Sequence, residues 1–246
     1  MEHCAALILA AGKGTRMKSD LAKVLHPLAG RPMIHHVLDA AEEAGLAPAI
    51  LVIGHQAEEV KTKLVGREVR FALQAEQLGT GHAVMMAREE LATLSGEVLV
   101  LSGDVPLIRS KTLRELVDYH RSRDAAATVL SAVLDDPGGY GRILRDENGD
   151  LAAIREHRDA SEEERATREI NSGIYVFALA DLLEGLEFLS DENEQGEYYL
   201  TDTLEILRRR GRRVSALICE DAEEIGGIND IEQLAAAERA LAERSA

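Results

Sequence analysis

The sequence has 246 residues, of which 46% are hydrophobic and 3% are aromatic, and its formal net charge is −16. A surface this acidic repels nucleic acids and anionic membranes, and few aromatic side chains are present on which bases could stack. We therefore expect neither a nucleic acid nor a membrane as a partner.

No hydrophobic stretch approaches the roughly 20 residues that a transmembrane helix needs. The first residues lead into a strand pattern without a basic segment or a cleavage site, so the sequence shows no export signal. The two cysteines, Cys4 and Cys219, lie outside any CxxC or Cys/His motif, which is typical of reduced thiols. These features predict a cytoplasmic protein.

Short apolar runs alternate with amphipathic patterns through the first half of the chain. In order, they predict a strand over 5–10, a helix over 32–44, a strand over 49–53, a helix over 57–65, a strand over 69–73, a helix over 80–91, a strand over 98–101, a helix over 111–121 and a strand over 126–133. Strands separated by helices indicate βαβ units, so we expect a mainly parallel sheet with helices on both faces.

The pattern changes after residue 133. Two short apolar runs, 142–144 and 151–154, flank Asn148-Gly149, which is a strong tight-turn signal, and they predict a β-hairpin. The acidic segment 161–168 predicts a solvated helix. The remaining predicted elements are strands over 174–177 and 214–218 and helices over 200–210 and 231–242. Because there is no internal repeat or proline-rich linker, we expect residues 1–246 to form one mixed α/β domain with a small antiparallel flap.

The first strand runs into a loop that contains Gly12, Lys13, Gly14 and Arg16. Glycine backbone N–H groups and fixed positive charges suit phosphate groups. A Walker A loop and a dinucleotide fingerprint would each need glycine where Met17 stands, so neither motif is present. The loop predicts a phosphate site of another kind.

Two further polar clusters follow predicted strands. Gly103-Asp104 comes directly after the strand over 98–101, where Asp104 is either a Mg²⁺ ligand or an ordinary turn or helix-cap residue. Thr80 lies between two glycines at a predicted helix start, where it serves a polar ligand or acts as an N-cap. The carboxamide of Gln74 offers a donor and an acceptor to the edge of a base.

Other catalytic motifs are missing from the sequence. There is no GxSxG elbow and no HExxH motif, and the eight histidines show no metal-ligand spacing. A covalent hydrolase or a zinc enzyme therefore has no support.

With these clusters in view, the chain resembles the sugar-1-phosphate nucleotidyltransferases. Within that family it is most similar to the uridyltransferase (pyrophosphorylase) domain of bacterial enzymes that also carry a glucosamine-1-phosphate acetyltransferase. The matching segments occur in the family's order along almost the whole chain, at residues 9–17, 23–26, 74–83, 103–107, 139–143, 156–157, 169–174, 195–202 and 227–229.

The resemblance implies a Rossmann-like fold of the nucleotide-diphospho-sugar transferase type and a set of site residues. Arg16 and Lys23 would be catalytic and hold the triphosphate, and Asp104 with Asn229 would bind Mg²⁺. The implied substrate-binding residues are Leu9, Ala10, Ala11 and Gly12 at the nucleoside and phosphates, Gln74, Gly79 and Thr80 at uracil, Gly141, Glu156 and Asn171 at the sugar, and Ser102, Gly103, Asp104 and Asn229 at the rim. Some relatives have tyrosine at the position of Ser102.

The implied reaction is Mg²⁺-dependent transfer of UMP from UTP to N-acetylglucosamine 1-phosphate, which gives UDP-N-acetylglucosamine, a precursor of peptidoglycan and lipopolysaccharide, and pyrophosphate. The sequence contains none of the hexapeptide repeats of the family's left-handed β-helix acetyltransferase domain. Since that domain builds the family's trimer, we expect a monomer or weak oligomer.

Two alternative functions stay open at this point. A related enzyme could use another sugar phosphate or nucleotide, such as glucose 1-phosphate with UTP or dTTP, or act as a cytidylyltransferase, because base and sugar selectivity depend on pocket shape. A non-catalytic module that binds nucleotide sugars is the other alternative. The joint presence of Arg16, Lys23, Asp104 and Asn229 argues against it, since a pure binder needs no metal ligands beside a cationic loop.

Overall fold

The computed structural model describes residues 3–244. Its strands are β1 (Cys4–Ala10), β2 (Pro27–Leu28), β3 (Arg31–Pro32), β4 (Ala49–Ile53), β5 (Val69–Leu73), β6 (Glu97–Ser102), β7 (Ala127–Val133), β8 (Arg142–Arg145), β9 (Leu151–Arg155), β10 (Glu169–Ala178) and β11 (Val214–Ile218). Its α-helices are α1 (Met33–Glu43), α2 (Ala57–Lys63), α3 (Thr80–Met86), α4 (Arg88–Leu91), α5 (Ser110–Ser122), α6 (Glu162–Arg165), α7 (Leu179–Gly185), α8 (Leu200–Arg209) and α9 (Ile231–Arg244).

One mixed sheet organises the described residues, with strand order β11-β7-β10-β6-β1-β4-β5. β1 pairs in parallel with both β4 and β6, and β4 pairs in parallel with β5. The chain therefore leaves β1 toward one side of the sheet and later returns to its other side. The loop after β1 lies at this switch point, where open α/β sheets bind their ligands.

β10 runs against the direction of its neighbours, since it is antiparallel to both β6 and β7. Its first residues therefore lie at the same edge of the sheet as the carboxyl ends of β6 and β7. The hairpin of β8 and β9 attaches there through the pairing of Ile170 with Arg142. This arrangement brings the antiparallel flap to the edge that carries the glycine loop.

The sheet is buried on both faces. Alternate residues of β1 point to opposite sides, so that Ala6 and Ile8 pack under α1 and α5 while Ala5 and Leu7 pack on the side of α3, α7 and α8. A smaller apolar cluster holds α9 against the body of the protein through Leu28, Met33, Leu107, Ile228 and Ala237. The alternation of buried side chains along each strand produces the apolar runs of the sequence.

The predicted fold is confirmed, with differences in particular elements. Strands β4, β5 and β11 have the predicted bounds, and the predicted hairpin forms. The helix predicted over 80–91 is two helices that meet at Ala87, and α7 was not predicted. β10 is longer than expected because the polar residues Asn171 and Ser172 continue it with a bulge before Ile174.

No helix within residues 3–244 is long and apolar enough to cross a membrane.

Candidate active site

The glycine loop after β1 has a backbone shape that requires Gly14. This residue has a φ of +66°, and a Cβ placed on it would lie 2.6 Å from the Cβ of Lys23. The next residues, Thr15–Met17, form a 3₁₀ turn in which Met17 is buried and Arg16 points outward. Gly14 thus allows the loop to pack against Lys23 and brings two cations to one place.

Four polar side chains from distant parts of the chain meet beside this loop. The Nη2 of Arg16 donates to the Oδ1 of Asn229 at 2.8 Å, and the Nζ of Lys23 donates to the same oxygen at 3.1 Å. Lys23 also forms an ion pair with Asp104, and both side chains keep only 16–17% of their surface exposed. The structure thus brings together the four residues that the resemblance assigns to the triphosphate and the metal ion.

Two backbone features hold the acidic member of this cluster. Asp104 follows β6 in a turn, and its carbonyl accepts a hydrogen bond from the N–H of Ile228 at 2.8 Å. This bond fixes the segment that carries Asn229 next to Asp104. The N–H of Gly103 donates to the carbonyl of Leu9 at 2.9 Å, which joins the turn that carries Asp104 to the end of β1.

A cavity of about 280 Å³ opens between the glycine loop and α3. Most of the residues predicted to bind the nucleotide line this cavity, together with four residues that were not predicted. Its lining comprises Leu9, Ala10, Ala11, Gly12, Lys23, Val24, Gln74, Gln77, Gly79, Thr80, Ala83, Ser102, Asp104 and Glu197. These four are Val24, Gln77, Ala83 and Glu197, and all of them lie in segments already matched to the family.

The carboxamide of Gln74 is fixed in one orientation. Its Nε2 donates to the carbonyl of Gly79 at 3.1 Å and lies 3.1 Å from the Nδ1 of His82. No group within residues 3–244 donates to its Oε1, which leaves this oxygen to accept from a ligand. The expectation that Gln74 offers both a donor and an acceptor was therefore too broad.

The start of α3 also differs from the expectation. Gly79, not Thr80, is the N-cap, and the Oγ1 of Thr80 accepts from the N–H of Leu200 at 3.1 Å. The N–H of Gly81 is already used by the carbonyl of Tyr198 at 2.7 Å. Gly79 has a φ of +104° and packs against Tyr198, so glycine is required there for both reasons.

The three predicted sugar residues lie together at the start of β10. The N–H of Asn171 donates to the carbonyl of Gly141 at 2.9 Å, and a Cβ on Gly141 would lie 3.3 Å from the Oε2 of Glu156. The Oδ1 of Asn171 accepts from the hydroxyl of Tyr175 at 2.9 Å. Its Nδ2 has no partner within residues 3–244 and stays available as a donor.

Burial raises the pKa of the Glu156 carboxyl above its usual range. A hydrogen bond from Thr201 opposes this shift, and the nearby carboxylates of Asp202 and Asp159 add to it. The pKa of Tyr175 is also well above its usual range, because the phenol is buried and faces Glu156. Tyr175 is therefore a permanent hydrogen-bond donor to Asn171.

Ser102 links the two halves of this edge. It lines the nucleotide cavity, and its Oγ lies 3.6 Å from the position that a Cβ on Gly173 would take. The nucleotide cavity and the cluster of Gly141, Glu156 and Asn171 are therefore neighbours along the rim of the sheet.

The residues that could hold a metal ion are few. Across residues 3–244, no group of three His, Cys, Asp or Glu side chains is placed to bind one. At the centre of the site, the available oxygen donors are the carboxylate of Asp104 and the amide oxygen of Asn229.

A larger cavity of about 800 Å³ lies at the opposite edge of the sheet, where β7 and β11 begin. Its charged side chains neutralise one another, as Arg208 does with Asp146 and Arg212 with Asp181, both at 2.9 Å. The candidate site lies at the other edge, where Arg16, Lys23, Asp104 and Asn229 meet beside the glycine loop.

Residues 6–197 of the sequence match the family described as the MobA-like NTP transferase domain. The chain belongs to this family. Three curated relatives, each called bifunctional protein GlmU, are similar over 99% of the chain: those of Pelobacter propionicus (54% identical), Acetivibrio thermocellus (52%) and Enterococcus faecalis (49%). The chain spans 53% of the length of each of these relatives.

Two solved structures have the same fold as this member of the family. A UDP-glucose pyrophosphorylase complexed with UDP-glucose superimposes with a TM-score of 0.79 at 17% identity, over 99% of this chain and all of that one. A candidate glucose-1-phosphate thymidylyltransferase from Bacillus anthracis, in complex with sucrose, gives a TM-score of 0.77 at 20% identity, over 96% and 94% of the two chains.

Proposed function

We propose that this protein transfers UMP from UTP to N-acetylglucosamine 1-phosphate, releasing pyrophosphate and UDP-N-acetylglucosamine. The observation that carries the proposal is the meeting of Arg16, Lys23, Asp104 and Asn229 at the mouth of a cavity under a glycine loop. Such a cluster combines fixed cations with oxygen donors for a metal, as two phosphate-bearing substrates require.

The choice of substrates rests on the relatives. Proteins called bifunctional protein GlmU are up to 54% identical to this chain over nearly all of its length. Enzymes of the GlmU family form UDP-N-acetylglucosamine by nucleotidyl transfer. Because the chain spans about half of each relative, we extend to it the uridyltransferase activity and not the acetyltransferase activity.

The chemistry explains why no nucleophilic side chain is needed. The phosphate of a sugar 1-phosphate is already an oxyanion, so it attacks the α-phosphorus of UTP without a general base. The difficulty is to hold two anions together and to stabilise the charge that develops on the departing pyrophosphate. Arg16 and Lys23 provide fixed positive charge at this place.

The orientation of Gln74 suits uracil. Its Nε2 is occupied by Gly79 and His82, so its Oε1 accepts the N–H that lies between the two carbonyls of the uracil ring. Thr80 and Gly79 close the same end of the cavity. A cytosine presents an unprotonated ring nitrogen at that edge and would be disfavoured.

Mg²⁺ fits the residues at the centre of the site. The ammonium of Lys23 contacts the Oδ2 of Asp104 and the Oδ1 of Asn229 together, so one cation is within reach of both oxygens. Mg²⁺ prefers such hard oxygen donors and is usually held by one or two carboxylates with phosphate oxygens. When bound there, the ion supplies charge neutralisation to the phosphates. Asp104 and Asn229 would hold the ion with the oxygens that the Lys23 ammonium contacts, and that ammonium would then be available to phosphate.

The sugar phosphate fits the neighbouring cluster. The Nδ2 of Asn171 donates to the sugar, and the carboxyl of Glu156 accepts from a hydroxyl or acetamido N–H. The Tyr175 hydroxyl holds the Asn171 side chain in place, and the Thr201 hydroxyl donates to Glu156.

The proposal is tested by measuring pyrophosphate release across a panel of nucleotides and sugar phosphates, with and without Mg²⁺. The panel pairs UTP, dTTP and CTP with N-acetylglucosamine 1-phosphate and glucose 1-phosphate. Release only with Mg²⁺, and at least ten-fold faster for UTP with N-acetylglucosamine 1-phosphate than for other pairs, is the expected result. A faster rate with another pair would replace the substrates, and binding of UDP-sugar without any release would refute catalysis.

A further inference from the structure

Gln56 lies outside the nucleotide cavity but fixes the chain next to one of the site's cations. It follows β4, and its side chain reaches across to the segment that leads into Lys23. Its Oε1 accepts from the N–H of Ala22 at 2.6 Å, and its Nε2 donates to the carbonyl of Asp20 at 2.7 Å. One carboxamide thus satisfies two backbone groups on either side of Leu21.

The backbone of Gln56 pays a conformational cost to make these contacts. Its φ of 51° and ψ of 42° place it in the left-handed region, which a residue with a side chain adopts rarely. A residue keeps this conformation where surrounding interactions stabilise it. Here the two hydrogen bonds of the Gln56 side chain, to Asp20 and Ala22, stabilise it.

Ala22 is where the restraint passes to the site. It is fully buried and is the N-cap of the 3₁₀ turn Lys23–Leu25, in which Val24 and Leu25 are also buried. Without Gln56, the buried N–H of Ala22 would lose its partner, a loss that this turn can avoid only by shifting. Lys23 begins the turn, so any such shift moves its ammonium relative to Asp104 and Asn229.

We infer that Gln56 is a positioning residue for Lys23, and this inference rests on the proposed function. Gln56 contacts neither the cavity nor the oxygens of the metal site, and acts through the backbone of Asp20–Ala22. It links the segment after β4 to the loop that follows β1, and so fixes the position of Lys23 relative to the sheet.

The test uses three variants that separate the side-chain bonds from the backbone conformation. Gln56→Gly keeps the left-handed conformation without strain but removes both bonds. Gln56→Asn keeps the amide on a shorter side chain, and Gln56→Glu can accept from Ala22 but cannot donate to Asp20. Glu58→Ala, an exposed change in α2, the helix that Gln56 precedes, serves as the matched control.

We expect Gln56→Gly to lower kcat roughly ten-fold or more, since small displacements of catalytic groups cost this much. Its KM for N-acetylglucosamine 1-phosphate should stay within about two-fold, and its melting temperature should be close to that of the control. Hydrogen exchange at the amide of Ala22 should become faster. A kcat within two-fold of the unmodified protein, or unchanged exchange at Ala22, would overturn the inference.

A double-mutant cycle with Lys23→Ala identifies the route of the effect. If Gln56 acts through Lys23, Gln56→Gly causes no further loss in the Lys23→Ala background. An equal fold loss in both backgrounds would indicate a general structural role and overturn the inference. Failure of the proposed function is recognised separately: the unmodified protein then releases no pyrophosphate, and Lys23→Ala has no activity to lower, which overturns both proposals.

Discussion

Replacing Lys23 with alanine should raise the affinity of the ligand-free protein for a divalent cation while it lowers turnover. Most substitutions beside a metal site weaken metal binding. Here the ammonium of Lys23 contacts the two oxygens, on Asp104 and Asn229, that the ion would use. The lysine and the ion therefore compete, and removing the lysine removes the competing charge at Asp104, while Arg16 still donates to the Asn229 oxygen.

The structure gives the size of the expected effect. Hydrogen bonds to charged groups contribute about 1.5–3 kcal/mol each. The Lys23 and Asp104 side chains are only 16% and 17% exposed, so solvent screens this pair less than an ordinary surface ion pair. At about 1.4 kcal/mol per factor of ten, the Kd for the ion should fall roughly ten- to one-hundred-fold.

The assay is a titration of the ligand-free protein with a divalent cation. Electron paramagnetic resonance detects the binding of Mn²⁺, and calorimetry detects the binding of Mg²⁺. Lys23→Arg should bind the ion as weakly as the unmodified protein, because it keeps the competing charge. Lys61→Ala changes the net charge equally on the exposed surface of α2 and controls for long-range electrostatics. Equal Kd values for the unmodified protein and Lys23→Ala would refute the competition.

Further predictions concern the other site residues and the pH dependence of folding. Arg16→Ala should raise the activation free energy by about 2.7–4 kcal/mol and so lower kcat roughly 10²–10³-fold, with little change in KM. Steady-state turnover within two-fold of the unmodified protein would exclude this role for Arg16. Asp104→Asn should shift the Mg²⁺ dependence of the rate to higher concentrations, and an unchanged titration would remove Asp104 from the metal ligands. Gln74→Leu, which leaves Gly79 without its side-chain donor and uracil without its acceptor, should raise the KM for UTP roughly ten-fold or more; an unchanged KM would contradict the uracil contact. Burial raises the pKa of Asp202 from 3.8 to about 6, so the native state binds this proton more tightly than the unfolded state and the free energy of unfolding falls as pH rises between these values. In urea titrations Asp202→Asn should therefore be more stable than the unmodified protein at pH 7.5, by up to about 3 kcal/mol, and should lose this advantage near pH 4; an advantage that is independent of pH would contradict the shift.

Much of the fold could be predicted because its signals are local. The strands that are buried on both faces read as apolar runs, and Asn148-Gly149 marks the hairpin turn. The elements that escaped have no such signal. Ala87 is an ordinary helix former, so nothing in the sequence marks the break between α3 and α4.

The residues of the candidate site could be proposed from the sequence, but their hydrogen bonds could not. Asp104 could be named from its place after a predicted strand, and Asn229 from the family resemblance. The orientation of Gln74 depends on a carbonyl and an imidazole that the α3 start brings into place, and no spacing rule encodes it. Gln56 has no local pattern at all, because its partners lie 34 and 36 residues earlier in the chain.

The hydrogen bond between Arg16 and Asn229 joins residues 213 positions apart. Asn229 also lies beyond residues 6–197, the range that matches the family model. During synthesis, most of the sheet can therefore form before the partner of Arg16 has left the ribosome. The growing chain gains the charged side chains of Arg16, Lys23 and Asp104 early and the amide of Asn229 last, when the segment before α9 settles against Asp104.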